Sequence, residues 1–213
     1  MEAQFWHQKW EDNSIAFHEG EANSLLVQYF EKLSVKTGSR IFVPLCGKTR
    51  DIAWLMSLGY QVAGAELSEL AIKQLFDDLM LEPSISSADN LKHYHSENID
   101  IFVGDFFDLS RTTLGLVDAV YDRAALVALP QEMRQRYTSH LAHITGTAPQ
   151  LLITFTYNQN QMAGPPFSIS SDEISTHYDA HYTVSLQAST DIPGGLKGQC
   201  AAVENALLLQ PIS

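Results

Sequence analysis

Short apolar runs of strand length recur along this chain, and most are followed by a stretch whose apolar residues repeat with helix period. Arg40-Ile41-Phe42-Val43-Pro44 reads as a buried strand. Thr49 then caps a helix over 49–58, with Asp51 in its first turn and Gly59 as its stop. A second strand over 60–66 precedes Ser68, which caps a helix carrying Leu70, Ala71, Leu75 and Leu79 on its inner face. Strands follow at Ile99–Val103, 117–121 and 151–157, the last after a helix opened by Pro130 with the stripe Met133, Tyr137, His140, Leu141, Ile144. Ahead of the first strand, residues 21–33 place Leu25, Leu26, Tyr29, Phe30 and Leu33 on one helical face. A helix over 169–178, with Ser171 near its cap, leads to a closing pair of strands at 182–188 and 201–209, while the polar, irregular stretch 81–98 reads as an excursion. Five βα units followed by two strands predict an α/β fold: a doubly wound, mostly parallel seven-stranded sheet with an antiparallel edge strand.

The chain's 213 residues, 45% hydrophobic and 18% charged, suit one globular domain spanning 1–213. With 13 Lys+Arg against 25 Asp+Glu the net charge is −12, which repels a nucleic-acid backbone or an anionic membrane surface. There is no apolar run of about 18 residues and no basic, apolar leader at the N-terminus, so neither a membrane span nor a signal peptide is expected. Cys46 and Cys200 make no disulfide framework, which points to a cytoplasmic setting with reduced thiols. Nothing signals self-association, and a monomer is expected.

In open α/β sheets ligands bind outside the carboxyl ends of the strands. Gly47 follows the first strand, and Glu66 ends the second, about 20 residues on, the spacing at which an acidic side chain accepts from ribose hydroxyls. The alternative is a plain turn and a solvated strand end. Gly47-Lys48-Thr49 is not a phosphate-binding loop, because the glycine that motif needs at position 42 is Phe42, and only one of the three glycines of a dinucleotide fingerprint is present. A nucleoside with an uncharged linker fits better, and S-adenosylmethionine is the commonest such ligand of this sheet.

Pro44-Leu45-Cys46-Gly47-Lys48, Gly64-Ala65-Glu66-Leu67-Ser68, Gly104-Asp105-Phe106-Phe107, Asp122-Arg123-Ala124-Ala125-Leu126 and Gly164-Pro165-Pro166-Phe167 together resemble the thiopurine S-methyltransferase family, in its short bacterial form. Trp6-His7-Gln8-Lys9-Trp10 and Ala16-Phe17-His18 extend the resemblance to the start of the chain. It implies the class I S-adenosylmethionine-dependent methyltransferase fold and methyl transfer to aromatic or heterocyclic thiols such as thiopurines, with selenium or tellurium compounds as further acceptors. By motif, Trp10, Leu45, Gly47, Glu66 and Arg123 would contact S-adenosylmethionine, and Asp105 and Phe106 would lie beside its adenine. Phe17, Pro165, Pro166 and Phe167 would border the small-molecule acceptor, and Arg123 would also face its sulfur as the catalytic cation. The family's further basic residue near the C-terminal strands has no arginine counterpart in 192–197; Lys197 is the cation available there.

The residues also have plainer readings. Trp6 and Trp10 sit four apart, as helix-packing aromatics do. Asp122 and Arg123 could form an ion pair, Gly164 to Phe167 a rigid turn, and Cys46 a packing residue. The paired histidines, His93 with His95, His140 with His143 and His177 with His181, lack carboxylates or cysteines at recognised ligand spacing, so no metal is expected. Two other functions stay open: small-molecule oxygen or nitrogen methylation on the same scaffold, and a non-catalytic nucleoside-binding module. Residues 1–19 hold two of the three tryptophans, Trp6 and Trp10, together with Phe5 and Phe17, and are expected to fold over the strand ends as a lid.

Overall fold

A computed structural model describes residues 3–15, 19–123 and 125–212. Helix α1 (Ala3–Glu11) and helix α2 (Ser24–Tyr29) lead into β1 (Arg40–Pro44), α3 (Arg50–Ser57), β2 (Gln61–Glu66) and α4 (Glu69–Leu79). Strands β3 (Ser84–Ala88), β4 (Leu91–Ser96) and β5 (Ile99–Val103) follow, then α5 (Arg111–Leu114), β6 (Ala119–Asp122), α6 (Gln131–Thr145) and β7 (Gln150–Tyr157). The chain closes with α7 (Ser171–Tyr178), β8 (Tyr182–Asp191) and β9 (Ala202–Pro211).

The strands form one sheet in the order β3-β4-β5-β2-β1-β6-β7-β9-β8. Its centre, β5-β2-β1-β6-β7, is parallel. Those strands are nearly continuous apolar runs because both of their faces are covered. Ile41, Val43, Val62, Ile101 and Tyr121 face a core shared with α2, α3 and α4. Phe42, Ala63, Phe102, Val120 and Leu152 face one shared with α6 and α7. From β1 the chain winds outward through β2 to β5, then returns to place β6 on the other side of β1, so the topological switch lies between β1 and β6.

The sheet has nine strands among the described residues, not the expected seven. The polar excursion at 81–98 is a pair of tight hairpins. Ala88 pairs with Leu91 across a turn in which Asp89 has φ 53°, and Ser96 pairs with Ile99 across a turn in which Asn98 has φ 63°. Asp and Asn tolerate that left-handed backbone, which is what a two-residue hairpin turn needs. Residues 84–87 of β3 are exposed, so the strand shows no apolar alternation to read. In α4 the buried face is Ala71, Ile72, Leu75 and Phe76, and Leu70 is exposed. Thr49, Ser68 and Pro130 hold the expected helix-start positions, and Ser170, one residue before the expected Ser171, caps α7. No helix among the described residues is long and apolar enough to cross a membrane.

Asp51 joins three elements. Its buried carboxylate accepts from Asn23 N–H ahead of α2 (2.7 Å), from Thr49 Oγ1 (2.9 Å) and from Tyr121 Oη of β6 (3.1 Å). Replacing it with alanine leaves a buried N–H and a buried phenol without their acceptor. We expect Asp51→Ala to lose about 3 kcal/mol of stability, read as a lower urea midpoint with an unchanged m value.

Candidate active site

The loop after β1 turns sharply. Leu45 (φ 48°) and Gly47 (φ 52°) both adopt left-handed backbone, and Cys46 N–H is held by Ala65 O of β2 at 3.0 Å. Glu66, at the end of β2, locks that loop. Its Oε2 accepts from Gly47 N–H at 2.8 Å and its Oε1 from Ser68 N–H at 2.9 Å. The side chain is only 7% exposed. Burial pushes the Glu66 carboxyl above the usual carboxylate range, opposed by the N–H groups of Ser68, Gly47 and Leu67 and by nearby His7. Each carboxylate oxygen keeps a further lone pair for a ligand hydroxyl.

Trp10 closes over this loop from α1. It is the buried residue of that helix, and a Cβ on Gly47 would lie 2.9 Å from Trp10 Cζ2, so the indole rests on glycine backbone. Beside the loop, His7 and Glu11 of α1 face Leu67, Ser68 and Val103 across a cavity of about 390 Å³, within the range of small-ligand pockets. Lys92 and Glu69 form one wall of it, where Glu69 accepts from Lys92 Nζ and from Tyr94 Oη, each at 2.6 Å. Cys46 is buried, and burial, with the Glu66 charge adding, raises its thiol well above the usual range, as suits a packing residue.

Asp105 and Phe106 follow β5. The Asp105 carboxylate is exposed and accepts from Phe107 N–H at 2.9 Å. The Phe106 ring turns into the core, with centroids 5.1 Å from both Tyr137 and His140, so only its backbone borders the strand ends.

At the end of β6, Asp122 is fully buried. It accepts from Tyr137 Oη at 2.7 Å and from the N–H groups of Ala125 and Leu126, at 3.1 and 3.3 Å. Burial pushes its carboxyl up to about 6, against the pull of those donors. Arg123 does not pair with it. Its guanidinium, on a side chain 14% exposed, pairs with Glu19, a partner that no sequence pattern pointed to. Burial raises the nearby Glu204 carboxyl, and the Arg123 charge opposes that rise. Arg123 thus stands at the switch point, with β1 and its loop as neighbours.

The loop at 164–167 is tied on several sides. Tyr157 Oη donates to Pro166 O at 2.8 Å, Phe167 N–H donates to Val127 O at 2.7 Å, and the Phe167 ring lies against the Arg134 guanidinium, 5.2 Å from its centroid. Lys197 Nζ donates to Pro165 O at 2.7 Å. Burial lowers the Lys197 ammonium, with Lys9 of α1 adding to the effect. The cation expected from 192–197 therefore does reach this loop. Phe17 lies outside the described residues.

The family model described as thiopurine S-methyltransferase (TPMT) matches residues 1–206. The chain belongs to that family. A thiopurine S-methyltransferase of Xanthobacter autotrophicus is 53% identical over 211 residues, covering 99% of each chain. One of Acinetobacter baylyi is 50% identical over 190 residues, covering 87% of this chain and 88% of its own. Among solved structures, the fold is similar to the 1,6-didemethyltoxoflavin-N1-methyltransferase of Burkholderia thailandensis, determined with bound S-adenosylhomocysteine. That match has TM-score 0.66 and 13% identity and covers 98% of this chain and 87% of that one. A TehB-like SAM-dependent methyltransferase from Corynebacterium glutamicum aligns with TM-score 0.59 at 12% identity, over 99% and 98% of the two chains. The protein is an S-adenosylmethionine-dependent methyltransferase of the class I fold. The Glu66 carboxylate, with acceptor capacity to spare beside the cavity, and the glycine backbone under Trp10 fit that cofactor.

Two outcomes follow from this geometry. Glu66→Ala removes charge-assisted hydrogen bonds and should weaken S-adenosylhomocysteine binding by calorimetry roughly 10- to 150-fold; an unchanged affinity would remove the ribose role. Asp122 binds its proton more tightly folded than unfolded, so its contribution to stability falls as pH rises from about 4 to about 6 and is flat above. Urea titrations of wild type and Asp122→Asn should show their stability difference shifting in favour of the variant across that window.

Proposed function

We propose that this protein S-methylates aromatic and heterocyclic thiols, with selenium and tellurium compounds as further acceptors. The observation that carries this reading is Arg123: a cation at the switch point that pairs with Glu19, a surface carboxylate. A thiolate arriving there competes with Glu19 for the guanidinium. Arg123 thereby favours the deprotonated sulfur, and aromatic thiols are acidic enough to need no strong base. The name shared by the relatives, thiopurine S-methyltransferase, supports a sulfur acceptor.

S-adenosylmethionine supplies a methyl group on a sulfonium, already activated for transfer. Glu66 accepts from the ribose, the exposed Asp105 and the Phe106 backbone border the adenine, and Leu45, Gly47 and Trp10 line the methionine end. Pro165, Pro166 and Phe167 wall the acceptor, and Lys197 offers it a second cation. Helix α1 acts as a lid within the single domain: it carries Trp10 onto the Gly47 loop and His7 toward Glu66. Excluding water there strengthens the attraction between thiolate and sulfonium. Alignment of the reacting atoms supplies roughly 7–11 kcal/mol of the barrier reduction.

Labelled S-adenosylmethionine offered with aromatic thiols, phenols, amines and oxyanions of selenium and tellurium tests the acceptor class. We expect thiols to be methylated at a rate that EDTA does not change. Arg123→Ala should cut that rate at least tenfold while the fold is retained, with partial rescue in Arg123→Lys. Preference for phenols or amines, or restoration by a divalent ion after chelation, would favour the oxygen or nitrogen reading.

A further inference from the structure

The second hairpin creates a side-chain cluster away from the strand-end cleft. β4 and β5 pair antiparallel across the turn at Glu97 and Asn98, with His95 directly opposite Asp100 and His93 opposite Phe102. Residues two apart on a strand share a face, so both imidazoles stand on the face of Asp100. His93 Nε2 lies 2.7 Å and His95 Nδ1 2.8 Å from the same oxygen, Asp100 Oδ1. The ligand atoms of all three side chains lie within 4.8 Å of one another. Asp100 is the second residue of β5, and the cofactor cleft borders its other end, at Val103.

We propose that His93, His95 and Asp100 form a binding site for a divalent transition metal ion of the zinc class. Two imidazoles and one carboxylate are a zinc ligand set with an open position for water. Bonds of about 2.0 Å in tetrahedral geometry set neighbouring ligand atoms about 3.3 Å apart, so each of the two His–Asp contacts has to widen by about half an ångström and the two imidazole nitrogens have to settle at the same separation. The site has that freedom and is also supported. The His95 side chain is 55% exposed, whereas His93 is stacked on Phe102 with ring centroids 4.8 Å apart and an interplanar angle of 13°. Arg40 Nη2 donates to the other carboxylate oxygen, Oδ2, at 3.0 Å, and Arg40 Nη1 donates to Leu114 O. That leaves Oδ1 as the single carboxylate ligand, aimed at both histidines, as outer partners of metal sites commonly arrange. The ion would replace a hydrogen-bonded proton bridge with a tie between β4 and β5, and it plays no part in methyl transfer.

The test uses the full chain, stripped of metal and titrated with zinc against a chromogenic chelator. One equivalent should bind, and the melting temperature should rise with zinc. His93→Gln and His95→Gln should each weaken binding roughly 100-fold, at or beyond the upper end of what losing an outer partner costs. His181→Gln, an exposed histidine elsewhere, should leave it unchanged. Circular dichroism of the metal-free variants should match wild type, which separates ligand loss from unfolding. Absence of stoichiometric binding, or binding that survives either hairpin substitution, would overturn the site. Methylation of thiols is measured separately with and without zinc and does not bear on this result.

Discussion

The carboxylate of Glu66 holds Gly47 N–H with one oxygen and Ser68 N–H with the other, so one side chain fixes the loops that follow two adjacent strands. Hydrogen bonds to a charged group contribute about 1.5–3 kcal/mol each, enough to hold the left-handed turn at Leu45 and Gly47 in place. That turn presents bare backbone to Trp10, and Trp10 is how α1 is docked. Burial makes the clamp costly for an isolated carboxylate, which is why its partners are backbone donors that cannot move away.

The same device recurs at the other strand ends. Asp51 gathers Asn23, Thr49 and Tyr121 where α2, α3 and β6 meet. Asp122 gathers Tyr137 and the turn at 125–128. Three buried carboxylates therefore organise the carboxyl edge of the sheet, each held by N–H or O–H donors of the chain itself. The cation beside them, Arg123, is largely buried and pairs with the more exposed Glu19. Interior charge sets the shape of the edge, and the Arg123–Glu19 pair is the part of it that reaches solvent, on its Glu19 side.

Much of this was legible from residue order. The parallel strands announce themselves as apolar runs because both faces are buried, and Thr49 and Ser68 mark helix starts through backbone donors that only they can satisfy. The Gly47 and Glu66 pair pointed to two loops that one hydrogen bond joins. The hairpin at 84–96 was hidden because an exposed serine-rich edge strand carries no apolar signature. The Asp89 turn within it and the Asn98 turn that follows it were the available clue. Leu70 belongs to the cavity rather than the core, a distinction that periodicity cannot draw. Phe106 looked like an open aromatic beside a ligand and is packed against Tyr137 and His140. Glu19 and Asp100 acquire their partners only through tertiary or cross-strand placement, which spacing along the chain does not encode.

The hairpin also bears on how reliably the protein folds. Side chains alternate along a strand, so pairing β4 with β5 one residue out of step would exchange its two faces. Leu91 would leave the core shared with α6, Tyr94 the opposite one shared with α4, Lys92 would leave the cavity wall, and the contacts that join Glu69 to Lys92 and Tyr94 would be lost together. A turn of two residues at Glu97 and Asn98 leaves little slack for such an error. The edge of the sheet is thus proofread by the shortest loop that can connect it.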